Sequence, residues 1–267
     1  MNRLRRCGVV HSSESSSSIT FIPEPREKSS VTYRLLVMMI CLGWPDLGLP
    51  QVGQPPVPPT IAASSEMSAD WPQFRGPDGQ GHGTAAQLPS KWSEVTNIAW
   101  KTDIPGRGWS SPVIQGNNIW LTTAVTEGSS LKLLRVDKST GKLEQEITVF
   151  QVPTPGKVHS KNGHASPTPI IEDGRIYVHF GAHGTACLDE AGKVLWKTTL
   201  DYYHHHGPAA SPILVGPRLI VPCDGFGKSF YDGETKSGVT DFQFVTALQT
   251  DTGGVDWRTP RQGRHSS

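Results

Sequence analysis

The sequence has 267 residues, of which 28 are Gly and 22 are Pro, and only 18% are charged. This share of Gly and Pro lies well above the usual share of about 12%, so it excludes a helical bundle and favours short strands joined by tight turns. Because 25 Lys and Arg balance 24 Asp and Glu, the net charge is +1, and nothing indicates nucleic acid as a partner. The hydrophobic fraction of 36% further predicts that part of the chain lies outside a packed core.

The first 30 residues hold the run Ser15-Ser16-Ser17-Ser18 and little apolar clustering. Such a segment buries too little apolar surface to offset the entropy of ordering it. We therefore predict a disordered leader at residues 1–30.

Residues 31–66 combine a basic flank at Arg34, an apolar stretch over residues 35–44, a Pro-rich segment and small residues at 62–65. These are the parts of a secretory signal, and the apolar stretch is too short to span a bilayer. We therefore predict a signal-peptide-like segment and linker, export to the periplasm or cell envelope of a bacterium, and no transmembrane span in the mature chain. The alternative is a hydrophobic patch within a disordered leader. Because a signal normally opens a chain, the true start is expected near Val31.

Two cysteines, Cys187 and Cys223, lie beyond the signal-like segment in apolar, strand-like stretches. An oxidising compartment would allow them to pair. Their apolar surroundings favour two separate buried thiols instead.

Three Ser-Pro steps, spaced about 50 residues apart, each open an apolar run that meets turn residues and then a second apolar run. Turn residues between β-branched and aromatic runs predict β-hairpins. A Gly-containing turn follows each hairpin, and the position four residues after the Gly is Trp in two copies of three. The Ser-Pro steps begin at Ser111, Ser166 and Ser211, the turn glycines are Gly141, Gly192 and Gly253, and the later positions are Gln145, Trp196 and Trp257.

A unit of about 50 residues with four short strands is the content of a β-propeller blade. We expect the recurring Trp to cover the apolar face between neighbouring blades, and Trp100 to end a preceding unit. The sequence thus predicts an all-β fold at residues 67–267, a partial propeller of about three four-stranded antiparallel blades plus an extra strand. A β-sandwich with coincidental spacing is the alternative.

Residues 192–197 (Gly-Lys-Val-Leu-Trp-Lys) and 252–258 (Thr-Gly-Gly-Val-Asp-Trp-Arg) resemble the tryptophan-docking motif of the pyrroloquinoline-quinone (PQQ)-like β-propeller repeat family. The segment at 70–77, Asp-Trp-Pro-Gln-Phe-Arg-Gly-Pro, is similar to the opening of secreted bacterial members. The resemblance implies the fold but not an activity, because this fold hosts both enzymes and scaffolds. Family propellers close with more blades than this chain holds, so we expect a truncated propeller or one that closes with another chain.

Enzymes of this superfamily bind PQQ, in many members with Ca²⁺, and several carry a disulfide between adjacent cysteines. This chain has no adjacent cysteines, and no clustered set of oxygen ligands marks a Ca²⁺ site. The sequence therefore identifies no catalytic residue and no metal ligand set.

Seven of the ten histidines lie between residues 159 and 206. His159 and His204 each precede a Ser-Pro step by seven residues, and His164 precedes one by two. Loops at these positions lead into the first strand of each blade, so their imidazoles are expected at one channel mouth, where they could bind a metal or an anionic ligand. The alternative is solvated loop histidines or hydrogen-bonded links between blades.

Arg107 and Trp109 occupy the corresponding loop of the first blade. An Arg suits a carboxylate and a Trp suits a flat ring, whereas packing at the rim is the structural alternative. With His159, His164 and His204, these residues are the candidate cofactor-binding or ligand-binding positions.

Two functions follow from these observations. The first is a non-catalytic binding or scaffolding module of the cell envelope, whose partner is a protein or another portion of a propeller. The alternative is a quinoprotein-type oxidoreductase, or a remnant of one, that binds PQQ and calcium.

Overall fold

The computed structural model describes residues 9–11, 17–21, 70–83, 88–202, 204, 206–225 and 243–261. The signal-like segment and linker predicted for residues 31–66, and residues 226–242, lie outside these ranges. Within them, no helix has the length and apolar character that crossing a membrane requires.

A three-stranded antiparallel sheet precedes the repeats. Its strands are β1 (Val9–His11), β2 (Ser17–Phe21) and β3 (Trp100–Ile104). The strand predicted around Trp100 is therefore confirmed. It pairs with a hairpin drawn from residues 1–30, the predicted disordered leader, because the free edge of β3 offers backbone groups that a strand can satisfy. The domain boundaries stay a prediction.

Three four-stranded antiparallel sheets follow, each made of consecutive strands in a meander, which is the architecture of a propeller blade. Blade 1 consists of β4 (Val113–Gln115), β5 (Asn118–Val125), β6 (Ser130–Asp137) and β7 (Leu143–Gln151). Blade 2 consists of β8 (Ile170–Glu172), β9 (Arg175–His179), β10 (Thr185–Asp189) and β11 (Val194–Thr198). Blade 3 consists of β12 (Ile213–Val215), β13 (Arg218–Cys223), β14 (Phe244–Gln249) and β15 (Val255–Pro260). The predicted all-β, partial propeller fold and its three hairpins are confirmed.

Turn chemistry explains where the strands end. Asp173 and Gly174, between β8 and β9, have φ values of 49° and 72°. Two successive positive φ angles define the tight hairpin turn whose twist matches that of the strands, and Asp-Gly is one of its preferred pairs.

The core lies between neighbouring blades rather than within one sheet. One cluster joins blades 1 and 2 around Trp120 and Phe180, and a second joins blades 2 and 3 around Tyr177 and Phe244. A third, smaller cluster packs β3 on blade 1. Cys187 and Cys223 are buried in the second cluster as free thiols, as predicted.

Directly opposite residues of adjacent strands share one face of a sheet. In blade 2 such a row runs across all four strands through Ile170, Tyr177, Cys187 and Trp196. All four side chains are buried against blade 3. This row is therefore the apolar face that the next blade covers.

Trp196 docks on the following blade, not on its own turn. Its indole Nε1 donates to the carbonyl of Thr250 at 2.9 Å, and the Thr198 hydroxyl donates to the carbonyl of Gly253 at 2.6 Å. A Cβ at Gly253 would lie 2.4 Å from the indole. The Gly turn and the Trp therefore form two halves of one contact between blades.

The same contact joins β3 to blade 1. Trp100 Nε1 donates to the Lys138 carbonyl at 2.8 Å, and the Thr102 hydroxyl donates to the Gly141 carbonyl. A Cβ at Gly141 would lie 2.4 Å from the Trp100 ring. Trp100 thus acts as the docking Trp of the unit before blade 1.

The interface between blades 1 and 2 departs from this pattern. Gln145 takes the register position of the Trp, opposite Arg135 and in the same row as Trp120. The largest side chain of this row is therefore the fully buried Trp120 of β5. Ile147 instead contacts the turn glycine, Gly192, where a Cβ would lie 2.5 Å from its side chain.

Blade 3 presents the corresponding row without a cover. Ile213, Ile220, Ala247 and Trp257 lie opposite one another across its four strands. Ile213 is 53% exposed and Trp257 38%, whereas Trp196 is 8% exposed. Every residue of β15 is exposed. Among the described residues, this outer face of blade 3 has no neighbouring sheet.

Candidate functional site: a histidine cluster at the inner loops

The Ser-Pro steps lie in the loops that lead into the first strand of each blade, here called the inner loops. They hold the inner loops of neighbouring blades side by side. The backbone amide of Ser111 donates to the Thr168 hydroxyl at 3.1 Å, and the Thr168 amide donates to the Ser211 hydroxyl at 3.0 Å. The segment at residues 70–77 also lies at this edge of blade 1, because Trp71 exchanges two backbone hydrogen bonds with Ile114 of β4. These contacts bring the loop at residues 159–168 close to the loop at 204–211.

Three histidines from these loops and from one turn of blade 2 meet at this edge. His164 and His204 are buried and His183 is half-buried. One ring nitrogen of each lies within 4.8 Å of the other two. His164 Nδ1 and His183 Nε2 are 3.2 Å apart, and the ring centroids of His183 and His204 are 4.9 Å apart.

Two glycines make room for the imidazoles. Gly128 and Gly181 have φ values of 97° and 63°, in the region that favours Gly. A Cβ at Gly128 would lie 2.2 Å from the His164 ring, and one at Gly181 would lie 2.4 Å from His204. The local backbone is therefore shaped for close approach of these two rings.

Backbone groups orient two of the rings. The Pro155 carbonyl forms a hydrogen bond with the His183 ring, and His183 Nε2 faces His164 Nδ1. His204 Nδ1 accepts the backbone N–H of Ala182 at 2.9 Å. Both contacts come from main-chain atoms, so they hold the rings irrespective of neighbouring side chains.

Burial keeps the cluster neutral. It lowers the pKa of His183 to about 4, helped by the nearby His164 and opposed by the hydrogen bond to Pro155. The pKa of His204 falls well below its usual value through burial and the neighbouring histidines, and burial with the Arg107 charge lowers that of His164. At neutral pH the uncharged form of all three imidazoles is therefore favoured.

Arg107 and Trp109 lie beside this cluster, and both are exposed. A Cβ at Gly163, the residue before His164, would lie 3.8 Å from Arg107 and 3.6 Å from Trp109. The Arg107 guanidinium donates to the carbonyl of Ser160. The predicted candidates Arg107, Trp109, His164 and His204 thus gather around one site.

His159 does not join them. It is exposed, and its ring packs edge-to-face on His206 with centroids 5.6 Å apart. The equal spacing of His159 and His204 before their Ser-Pro steps suggested equivalent places, but the two loops follow different paths. Asn162 turns the first loop by bonding the His206 carbonyl at 2.8 Å, and this brings His164 inward instead.

His183 is the site residue that sequence reasoning did not select. It lies in a short turn, Gly181–His183, between β9 and β10, outside the Ser-Pro loops. The only signal in the sequence is its place in the histidine-rich region, shared with His179. His179 is buried apart from the cluster, with Nδ1 2.8 Å from the Thr185 hydroxyl.

The donor set differs from what PQQ with calcium requires. Calcium takes six to eight oxygen ligands, whereas the converging atoms here are imidazole nitrogens. In the part of the chain that the structure describes, the three histidines are the one group of metal-ligating side chains that converges. The residues present therefore do not fit the quinone–calcium pair that the resemblance implies.

No protein-family model matches the chain, and no curated protein matches it. Among solved structures, it is similar to the quinohemoprotein alcohol dehydrogenase of Comamonas testosteroni, with 16% identity and a TM-score of 0.40 over 58% of this chain and 21% of that one. It is also similar to the quinohemoprotein alcohol dehydrogenase ADHIIG of Pseudomonas putida HK5, with 15% identity and a TM-score of 0.40 over 60% and 21%. BamB of Moraxella catarrhalis matches with 18% identity and a TM-score of 0.38 over 61% and 41%.

The matched region thus spans about a fifth of each dehydrogenase. Fold and site together define the class of this chain: an all-β protein of three four-stranded propeller blades with a histidine cluster at its inner loops.

Proposed function

We propose that this chain is a non-catalytic binding module of the bacterial cell envelope. Its outer face of blade 3 docks a further blade, supplied by a protein partner or another portion of a propeller. The observation that carries the proposal is the row from Ile213 to Trp257, which is apolar and in register and whose two outer members, Ile213 and Trp257, are exposed. Placement in the envelope rests on the signal-like segment at residues 31–66.

The chemistry of the expected occupant follows from the contacts inside the chain. Trp100 and Trp196 each dock on a Gly turn of the following blade and donate an indole hydrogen bond to a backbone carbonyl in that turn. Trp257 holds the same register position as Trp196. The fitting occupant is therefore a blade with a Gly turn that leaves room for one indole.

Among the described residues of a second copy, the three Gly turns that receive a side chain from the preceding unit are already filled. Trp100 fills the turn at Gly141, Trp196 fills the turn at Gly253, and Ile147 fills the turn at Gly192. A copy would have to displace one of these side chains before it could receive Trp257. The partner is therefore expected to be a different chain or a different portion of a propeller.

Site-specific photo-crosslinking in the native envelope tests this proposal. A benzoylphenylalanine at position 257 is expected to form an adduct whose cross-linked peptide carries a Gly turn of a propeller repeat. The matched control is position 195, because Leu195 is also exposed, at 45%, on the outer strand of blade 2. Equal adducts from both positions, or an adduct at 257 with a protein that lacks such a blade, would overturn the proposal.

Turnover is the second test, because the alternative is a quinoprotein-type oxidoreductase. The folded chain is expected to show no change in quinone absorbance on titration with PQQ and Ca²⁺, and no dye reduction with alcohols or sugars. A saturable absorbance change together with dye reduction would contradict a non-catalytic role and restore the alternative.

A further inference from the structure

We propose that His164, His183 and His204 form a binding site for a divalent transition metal ion of the zinc type, with one ring nitrogen from each residue. Imidazole nitrogen is a preferred ligand of zinc, copper and nickel. Three protein ligands leave a fourth tetrahedral position for water or an anion. The site is independent of the outer face of blade 3, so it is a second binding function.

The geometry lies near that of a tetrahedral site. Zinc–nitrogen bonds of about 2.0–2.1 Å place two ligand nitrogens about 3.3 Å apart. His164 Nδ1 and His183 Nε2 are already 3.2 Å apart. All three ligand atoms lie within 4.8 Å of one another, so the His204 nitrogen has to move closer to the other two when an ion binds.

The surroundings of His183 are those of a metal ligand. Metal-bound histidines usually donate their second ring N–H to a carbonyl or carboxylate, and this fixes the tautomer. His183 has such a bond to the Pro155 carbonyl. Its Nε2 faces His164 within the cluster, and His183 is the half-buried member of the three.

Neutral imidazoles are required because a protonated ring cannot bind a metal. Burial favours the neutral form of all three rings at pH 7. The positive charge of Arg107, which acts on His164, opposes a cation and favours an anion in the fourth position. A metal with a bound anion therefore suits this site better than a bare cation.

Ligation changes the hydrogen bond of His204. Its Nδ1 now accepts the Ala182 amide, so the ring proton lies on Nε2. Binding a metal through Nε2 moves that proton to Nδ1 and breaks the bond from Ala182. Metal binding is thus expected to shift the amide resonance of Ala182, whereas a hydrogen-bonded histidine cluster without a metal leaves it unchanged.

Isothermal titration calorimetry of the full chain with Zn²⁺, after treatment with a chelator, tests the site. The visible absorption spectrum of the Co²⁺-loaded chain shows the coordination geometry. One equivalent is expected to bind, with the intense visible bands of tetrahedral Co²⁺. His183→Ala is expected to lower the affinity at least about tenfold. Because His183 is half-buried in a turn, this variant should keep its fold, and His183→Gln with a near-UV spectrum provides a second check.

Two control variants separate the cluster from surface histidines. His159→Ala removes an exposed imidazole outside the cluster. The His205→Ala/His206→Ala double variant removes the two histidines that follow His204 in the sequence, of which His205 lies outside the described residues. Both are expected to bind Zn²⁺ within about twofold of the parent chain. Absence of binding in the parent chain, unchanged binding in His183→Ala, or loss of binding in either control would overturn the proposal.

Discussion

Gly253→Ala tests the contact that joins the blades. Gly253 has a φ of 71°, and a Cβ there would lie 2.4 Å from the Trp196 ring and 2.6 Å from the Thr198 hydroxyl. Left-handed backbone costs a non-Gly residue about 1–2 kcal/mol, and overpacking a tight contact costs about 1–3 kcal/mol more. We therefore expect the free energy of unfolding to fall by about 2–5 kcal/mol.

Gly174→Ala is the matched control. Gly174 has a φ of 72°, but nothing lies within 4 Å of a Cβ placed there. It therefore isolates the backbone cost of about 1–2 kcal/mol. Urea denaturation followed by circular dichroism measures both variants. Equal losses in Gly253→Ala and Gly174→Ala would refute the reasoning, because the Trp contact would then contribute nothing.

Three further predictions concern other parts of the fold. Trp196→Ser is expected to lower the free energy of unfolding by about 3–5 kcal/mol, because Trp196 docks on the next blade. Trp257→Ser is expected to lower it far less, because Trp257 is exposed. Equal losses of stability in thermal unfolding would contradict this expectation. Burial raises the pKa of Cys187 to about 11 and that of Cys223 to about 12, so a thiol reagent at pH 8 should modify neither until denaturant is added. Burial lowers the pKa of His179 from 6.5 to about 4. The stabilising contribution of the neutral ring is therefore present above pH 6.5 and lost as the pH falls toward 4, so the midpoint of urea denaturation should drop over that range. A midpoint that does not change with pH would count against a buried neutral His179.

The blade repeat could be predicted because its signals are local. Ser-Pro steps, Gly turns and β-branched runs specify hairpins over a few residues, and the structure places Gln145, Trp196 and Trp257 at equivalent register positions. The replacement of the Trp by Gln145 could not be predicted from the turn and strand that carry it. In the structure the fully buried Trp120, two strands away in the same blade, lies in the same row.

The histidine cluster was predictable only in part. His164 and His204 flank the Ser-Pro steps, and those steps fix the inner loops of neighbouring blades side by side. His183 comes from a turn that follows β9. The packing of Gly181 against His204 and the hydrogen bond from Ala182 to His204 bring that turn to the site. His159 was predicted at the site but lies outside it. It precedes its Ser-Pro step by the same number of residues as His204, but the two loops follow different paths.

Hydrogen–deuterium exchange of β15 measures whether the third blade presents an open docking face. In the chain purified alone, amides of β15 should exchange faster than those of β11, which has the same place in blade 2 but a neighbour on its face. In the complex purified from cells, protection of β15 should rise to the level of β11. Full protection of β15 in the chain alone, or no change in the complex, would contradict the account.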